Sequence, residues 1–196
     1  MYRKQKRRMR NDSRFATLAR IGEMAFHSND LANAWGITNT NTLHTTLKRY
    51  YKRGLLYRAY NGFYTLKPIA SINPLYLGLK ALHSYGYIST ETVLGNTGIM
   101  QQGIAYNTLV GSVSKTFHVG QNQYRVRKLA DRYLFNDVGI ETKDGIRMAT
   151  PERAIADLLY FNPRVYFDGP INWPRVKAIQ KTLGYPFTPK RYTTPS

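Results

Sequence analysis

The stretch from Asn29 to Leu66, NDLANAWGITNTNTLHTTLKRYYKRGLLYRAYNGFYTL, constrains the fold of this chain more than any other. Asn29 is a good helix N-cap, and Asp30 adds a favourable charge to the first turn. Leu31, Ala32 and Trp35 follow at helical spacing. Gly36 ends that helix in the left-handed conformation glycine takes without strain, and Ile37 is the expected buried residue of the turn. A second helix is predicted from about Thr40 to Arg53, with Leu43, Leu47 and Tyr50 forming one apolar face. At ~100° per residue, Asn41, Thr45, Lys48, Arg49 and Lys52 point the other way. Gly54 closes this helix. LLYRAY and FYTL are strand-like runs around Asn61-Gly62, a pair that favours a type I′ hairpin with positive φ at both residues. Helix, turn, basic helix, glycine, strand, Asn-Gly, strand is the order of a winged helix-turn-helix. The plainer alternative is a helical hairpin packed on a two-stranded ribbon.

The outward face of the second helix is cationic, carries amides and hydroxyls, and has no acid. Such a face suits a DNA major groove, where Asn reads base edges while Lys and Arg hold phosphates or guanine. The candidate DNA contacts are therefore Asn39, Thr40, Asn41, Thr45, Lys48, Arg49 and Lys52, with Arg58 and Asn61 from the hairpin. Asn41, Thr45 and Arg49 have the angles expected of base readers. Tyr50, Tyr51, Tyr57, Tyr60 and Tyr64 are expected mostly in the core, with hydroxyls at its rim.

Charge points the same way. The 196 residues carry a formal net charge of +18, which implies polyanionic partners without saying which. Residues 1–66 hold 13 Lys/Arg against 3 Asp/Glu, and residues 67–196 hold 16 against 8. The first third is thus the more strongly basic. Residues 1–12 form a basic arm in which Arg3, Lys4, Lys6, Arg7, Arg8 and Arg10 precede the first acid, Asp12. Such a block repels itself and is expected to be disordered in isolation. It reads either as an arm that follows the DNA backbone or enters a minor groove, or as a solubilising tail. A transit peptide fits less well, because serine is scarce. The chain has no cysteine, so disulfides and thiolate metal sites are excluded. No run approaches the roughly 20 apolar residues of a membrane helix, and no apolar segment follows the basic N-terminus as in a signal peptide. A cytoplasmic, membrane-free protein is the expectation.

Residues 13–27 read as a first helix, capped by Ser13, with Phe15, Leu18, Ala19, Gly22 and Phe26 on one face. The predicted winged module is thus 13–68. After a break at 67–73, Asn73-Pro74 starts a helix to about Ser84, with Leu75, Leu79 and Leu82 inward. Gly86-Tyr87-Ile88 is a short extended piece, and Ser89 caps a further helix. Strand-like runs fill Ile104 to Met148. Thr150 and Pro151 then open a helix with Ala154, Ile155, Leu158 and Leu159 buried, and a last helix spans about Trp173 to Leu183. The fold class is therefore α+β: a winged helix-turn-helix, then a mixed α/β domain over 73–188 with a small sheet.

Enzymatic signatures are weak. Glu141-Thr142-Lys143 with Asp131 and Asp137 is the residue set of a metal-dependent nuclease, but the pattern is short. GSVSKT at 111–116 lacks the glycine that a phosphate loop needs before its lysine. His27, His44, His83 and His118 are scattered and offer no zinc spacing. The chain is read as a non-enzyme, with no catalytic residues, metal or cofactor. Glu152 favours its helix N-terminus, and Arg153 and Asp157 stand four apart and can pair.

The winged module followed by YISTETVL at 87–94, IRMATPERAIADLLYFNP at 146–163 and INWPRVKAIQKTLGYP resembles the AbiEi antitoxins of type IV, abortive-infection toxin–antitoxin operons. ATPERAIADLL is the most specific piece. The resemblance covers nearly the whole chain after the arm, and the strongly basic arm departs from the family pattern. It implies an N-terminal domain that represses its own operon at inverted repeats in double-stranded DNA. It also implies a C-terminal domain that counteracts a nucleotidyltransferase toxin without requiring a stable complex. Glu152, Arg153 and Asp157 become the candidate antitoxin surface, the alternative being a capped helix with an ion pair. A basic RNA-binding or ribosome-associated protein and a nuclease are the competing functions.

Overall fold

The computed structural model describes residues 13–101 and 105–186. The chain divides into two compact units between Asn73 and Pro74, directly after the 67–73 stretch. Both units combine helices with a sheet, as an α+β chain should.

In the first unit, helix α1 (13–21) leads to strand β1 (Ala25–His27), helices α2 (Ser28–Trp35) and α3 (Thr40–Lys52), and strands β2 (Tyr57–Tyr60) and β3 (Phe63–Thr65). The sheet order is β1-β3-β2, antiparallel throughout. The expected helix over 13–27 is corrected here. Gly22 turns the chain at φ +73, and Ala25, Phe26 and His27 pair with Thr65, Tyr64 and Phe63. A third strand gives β3 hydrogen-bonding partners on both sides, which an extended α1 would not. Phe15, Ala19 and Gly22 are accordingly exposed. Leu18 and Phe26 do reach the core, from different elements, and meet Leu31, Leu43, Leu47, Tyr50, Leu56 and Tyr64. Each large apolar side chain buried there contributes about 1.5–3 kcal/mol.

The start of α2 is also corrected. Helical geometry begins at Ser28, and the Asp30 carboxylate accepts a hydrogen bond from the His27 N–H at 2.8 Å. Asp30, rather than Asn29, thus satisfies an orphan donor of the helix start. Gly36 is left-handed as expected, at φ +61, and Ile37 is half-buried against the core. In the β2–β3 hairpin only Gly62 has positive φ, at +86. The type I′ expectation at Asn61-Gly62 therefore fails, and the register shifts between Arg58 and Tyr60 instead. Tyr60 still pairs with Phe63 across these two residues, so one positive-φ glycine together with the register shift closes the hairpin.

The second unit runs through α4 (Pro74–Leu82), β4 (Gly86–Ile88), α5 (Glu91–Asn96), β5 (Asn107–Gly111), β6 (Lys115–Val119), β7 (Asn122–Lys128), α6 (Asp131–Leu134), β8 (Ile140–Lys143), β9 (Ile146–Ala149), α7 (Pro151–Phe161) and α8 (Trp173–Leu183). Its six-stranded sheet has the order β6-β7-β5-β4-β9-β8. β4 with β9 and β5 with β7 are parallel, and the other pairs antiparallel. In α4 the buried residues are Leu77, Gly78, Ala81 and Leu82, so the inward face lies one step from the Leu75–Leu79 stripe. A Cβ at Gly78 would stand 2.4 Å from the Tyr124 ring, so only glycine lets helix and strand approach this closely. The mirror-image turn appears at Asp144-Gly145, with φ +52 and +74, joining β8 to β9. Ser89 does not cap α5: that position is Thr90, at φ +54, and the Ser89 hydroxyl turns inward to Asp157. No helix among the described residues is long and apolar enough to cross a membrane.

Candidate nucleic-acid interface

Helix α3 forms because Asn39 caps it and its apolar residues share one side. The Asn39 side-chain oxygen accepts the Thr42 N–H at 2.9 Å, so this amide is occupied in holding the helix start. Leu43, Thr46, Leu47 and Tyr50 are buried. Thr40, Asn41, Thr45, Lys48 and Lys52 are exposed, as their angles require. Arg49 departs from the expected outer face and is half-buried. Burial raises the Tyr50 hydroxyl above its ordinary pKa, and the charges of Arg14, Arg49 and Arg53 partly oppose that shift. Arg49 is therefore less open to solvent than Asn41 and Thr45.

The hairpin stands beside this face. Arg58 Nη2 donates to Asn61 Oδ1 at 2.9 Å, both side chains being exposed. The link fixes a flexible cation at the hairpin loop. A cleft of about 410 Å³ lies between α3 and the hairpin, lined by His44, Leu47, Lys48, Tyr51, Lys52, Arg58, Asn61 and Tyr64. Three cations and no carboxylate line it. His44, Tyr51 and Tyr64 were not among the sequence candidates. The His44, Lys48, Lys52 spacing of four residues was the signal that places one row of side chains along a helix. Tyr50 and Tyr64 are core residues, whereas Tyr51, Tyr57 and Tyr60 are 52%, 36% and 37% exposed. The expectation of a mostly buried tyrosine set is corrected for those three. Arg3, Lys4, Lys6, Arg7, Arg8 and Arg10 lie outside the described residues.

The candidates of the second unit lie in a different setting. Arg153 and Asp157 are both 0% exposed, so they present no surface, and that expectation is corrected. Their predicted pairing is present: Arg153 Nε donates to Asp157 Oδ1 at 2.9 Å. Nη1 donates to the Asn136 and Val138 carbonyls at 2.9 and 2.8 Å. Nη2 donates to the Tyr87 hydroxyl at 2.7 Å and the Tyr133 carbonyl at 3.2 Å. Every guanidinium donor is used. The Asp157 carboxylate accepts from Ser89 at 2.8 Å, Tyr87 at 3.0 Å and Tyr185 at 2.6 Å as well. Burial, followed by the Asp157 charge, pushes the Tyr87 and Tyr185 hydroxyls far above their usual range. For Arg153 burial acts downward, but Asp157, Tyr87 and Tyr185 together outweigh it and the guanidinium stays charged. A charged pair survives in this interior only because each lone pair and proton has a partner. The whole stretch from Arg153 to Leu159 is buried, whereas Glu152 is half-exposed at the helix start. The Thr150 hydroxyl accepts the Arg153 N–H at 3.3 Å, the expected cap.

The acids of the nuclease pattern do not converge. Asp137 accepts from Arg147 at 2.6 Å and Tyr85 at 2.7 Å, and Glu141 and Lys143 are exposed on β8. Among the described residues, no three His, Asp or Glu side chains come together where they could hold a metal ion. No family model matches this chain, and no curated protein sequence matches it significantly.

Proposed function

We propose that this chain is a DNA-binding autorepressor and the antitoxin of a type IV toxin–antitoxin operon. Its first unit acts as a winged helix-turn-helix, with α3 as recognition helix and the β2–β3 hairpin as wing. One observation carries the DNA-binding part. His44, Lys48 and Lys52 of α3 and the Arg58–Asn61 pair of the hairpin line one cationic cleft that no acid enters. A helix with amides and hydroxyls at its exposed start and lysines further along can set base readers in a major groove and cations on the flanking phosphates. Asn41 and Thr45 are the base readers, and Lys48, Lys52 and Arg58 hold the backbone. The antitoxin part rests on the likeness of ATPERAIADLL and the flanking segments to AbiEi proteins. In this reading the partners are operator inverted repeats and a nucleotidyltransferase toxin, met in the cytoplasm without a required stable complex.

The test pairs binding with repression and rescue. The full chain is titrated against its own promoter fragment and a shuffled duplex of equal length, and a promoter–reporter fusion is read with and without it. Tighter binding of the promoter and a silenced reporter support autorepression, and equal affinity for both duplexes contradicts it. Co-expression with the nucleotidyltransferase of the same operon reads the antitoxin part, which fails if growth is not restored.

A further inference from the structure

Strand β7 alternates with a two-residue period. Tyr124 and Val126 are buried on one face of the sheet, whereas Gln123 and Arg125 are exposed on the other. The register with β6, the outermost strand, sets Thr116 opposite Arg125 and His118 opposite Gln123. These four side chains therefore share one face, and all are exposed. The Arg125 guanidinium lies over the Tyr106 ring, 4.3 Å from its centre. Two residues along the same face, Arg127 lies over Phe161 at 5.5 Å and pairs with Glu91, the carboxylate at the margin of this surface. The result is a flat patch with a stacked, solvent-facing cation, an imidazole, an amide and a hydroxyl.

We propose that the exposed part of this sheet face, over β6 and β7, is a binding site for single-stranded nucleic acid. A duplex is read by an element that projects into a groove, and a flat sheet face offers none. Unpaired bases, by contrast, lie flat on a sheet, stack on rings or guanidinium planes, and turn their edges to nearby polar side chains. Tyr106 packs against the Arg125 guanidinium, and the exposed position of Arg125 leaves it within reach of a base. Gln123, His118 and Thr116 supply donors and acceptors at the distances of neighbouring strand positions. Arg125 adds positive charge for the phosphates between successive bases. The site uses none of the cleft residues of the first unit and is independent of the function proposed for them.

The test uses the full chain and fluorescence anisotropy with three probes of about 20 nucleotides: a mixed-sequence RNA strand, the DNA strand of the same sequence, and a mixed-sequence DNA duplex. Arg125→Ala is expected to weaken single-strand binding about tenfold and to leave duplex binding within about twofold. Arg125→Lys keeps the charge but loses the plane, and recovers only part of the affinity. Thr116→Glu, at an exposed position, weakens the single strand by like-charge repulsion without touching the core. Lys52→Ala with Arg58→Ala shows the opposite pattern, losing the duplex and keeping the single strand. Whether RNA or DNA loses the affinity assigns the sugar. Equal losses on single strand and duplex for Arg125→Ala, or no single-strand loss in either sheet variant, overturns the proposal.

Discussion

Lys52 and Arg58 in the first unit and Arg153 in the second carry the same charge into opposite surroundings. Lys52 and Arg58 are exposed at the cleft beside α3, where Arg58 donates to Asn61. Arg153 is sealed in the interior, with every donor occupied and a carboxylate against it. The lesson is that a net charge of +18 is a sum over cations with different work. Those at the cleft are available to a polyanion, whereas Arg153 ties α7 to β4 and the residues around α6. Variants that move one region without the other sharpen this contrast.

The largest effect is expected from Asp157→Asn, which leaves the Arg153 charge buried without a counter-ion. Breaking a pair of this kind costs about 3–5 kcal/mol, read as a fall in the urea midpoint of the transition reported by tyrosines of the second unit. Replacing both members by apolar residues, Arg153→Met with Asp157→Leu, is expected to restore most of that loss. A loss below about 1 kcal/mol for Asp157→Asn, the range of an exposed pair, would break the contrast.

Alkaline pH probes the same interior. Tyr87 and Tyr185 titrate above the ordinary value of 10.0 in the folded protein. Above pH 10 the unfolded chain gives up protons that the folded chain keeps, so stability falls as pH rises. Below that pH both states hold the protons and nothing is lost. The expected slope is about 1.4 kcal/mol per pH unit for each tyrosine. Urea unfolding between pH 9 and 11 reads it, and a flat profile across that range means that the hydroxyls meet water. A smaller effect belongs to the first unit: Asn39→Ala removes the cap of α3 and is expected to cost about 1 kcal/mol. An unchanged melting temperature would show that the cap contributes nothing.

Much of the first unit was legible because its signals are local. Gly36 and Gly54 are left-handed where the helices stop, Asn39 begins α3, and the exposed row Asn41, Thr45, Lys48, Lys52 follows from helical angles alone. What failed depended on partners distant in sequence. Ala25–His27 looks helical until β3 offers it a register. Asn61-Gly62 has the composition of a mirror-image turn, yet that turn forms at Asp144-Gly145, where both residues take positive φ. Spacing gave the Arg153–Asp157 pair but not its burial. α7 is enclosed on its polar side too, by Tyr87, Ser89 and Tyr185, residues that stand 66, 68 and 28 positions from their partners. Nothing within ATPERAIADLL announces them.

The claim that α3 reads bases while the cleft cations hold the backbone is tested most directly by one ratio. Affinity for the chain's own promoter is divided by affinity for a shuffled duplex, in wild type and in Asn41→Ala, across a salt series. Loss of a base contact worth about 1–3 kcal/mol is expected to lower promoter affinity roughly 5- to 150-fold and leave the shuffled duplex unchanged. Arg58→Ala, run in parallel, is expected to weaken both duplexes alike and reduce the salt slope by about 0.9. An Asn41→Ala protein that keeps the wild-type ratio would contradict the reading.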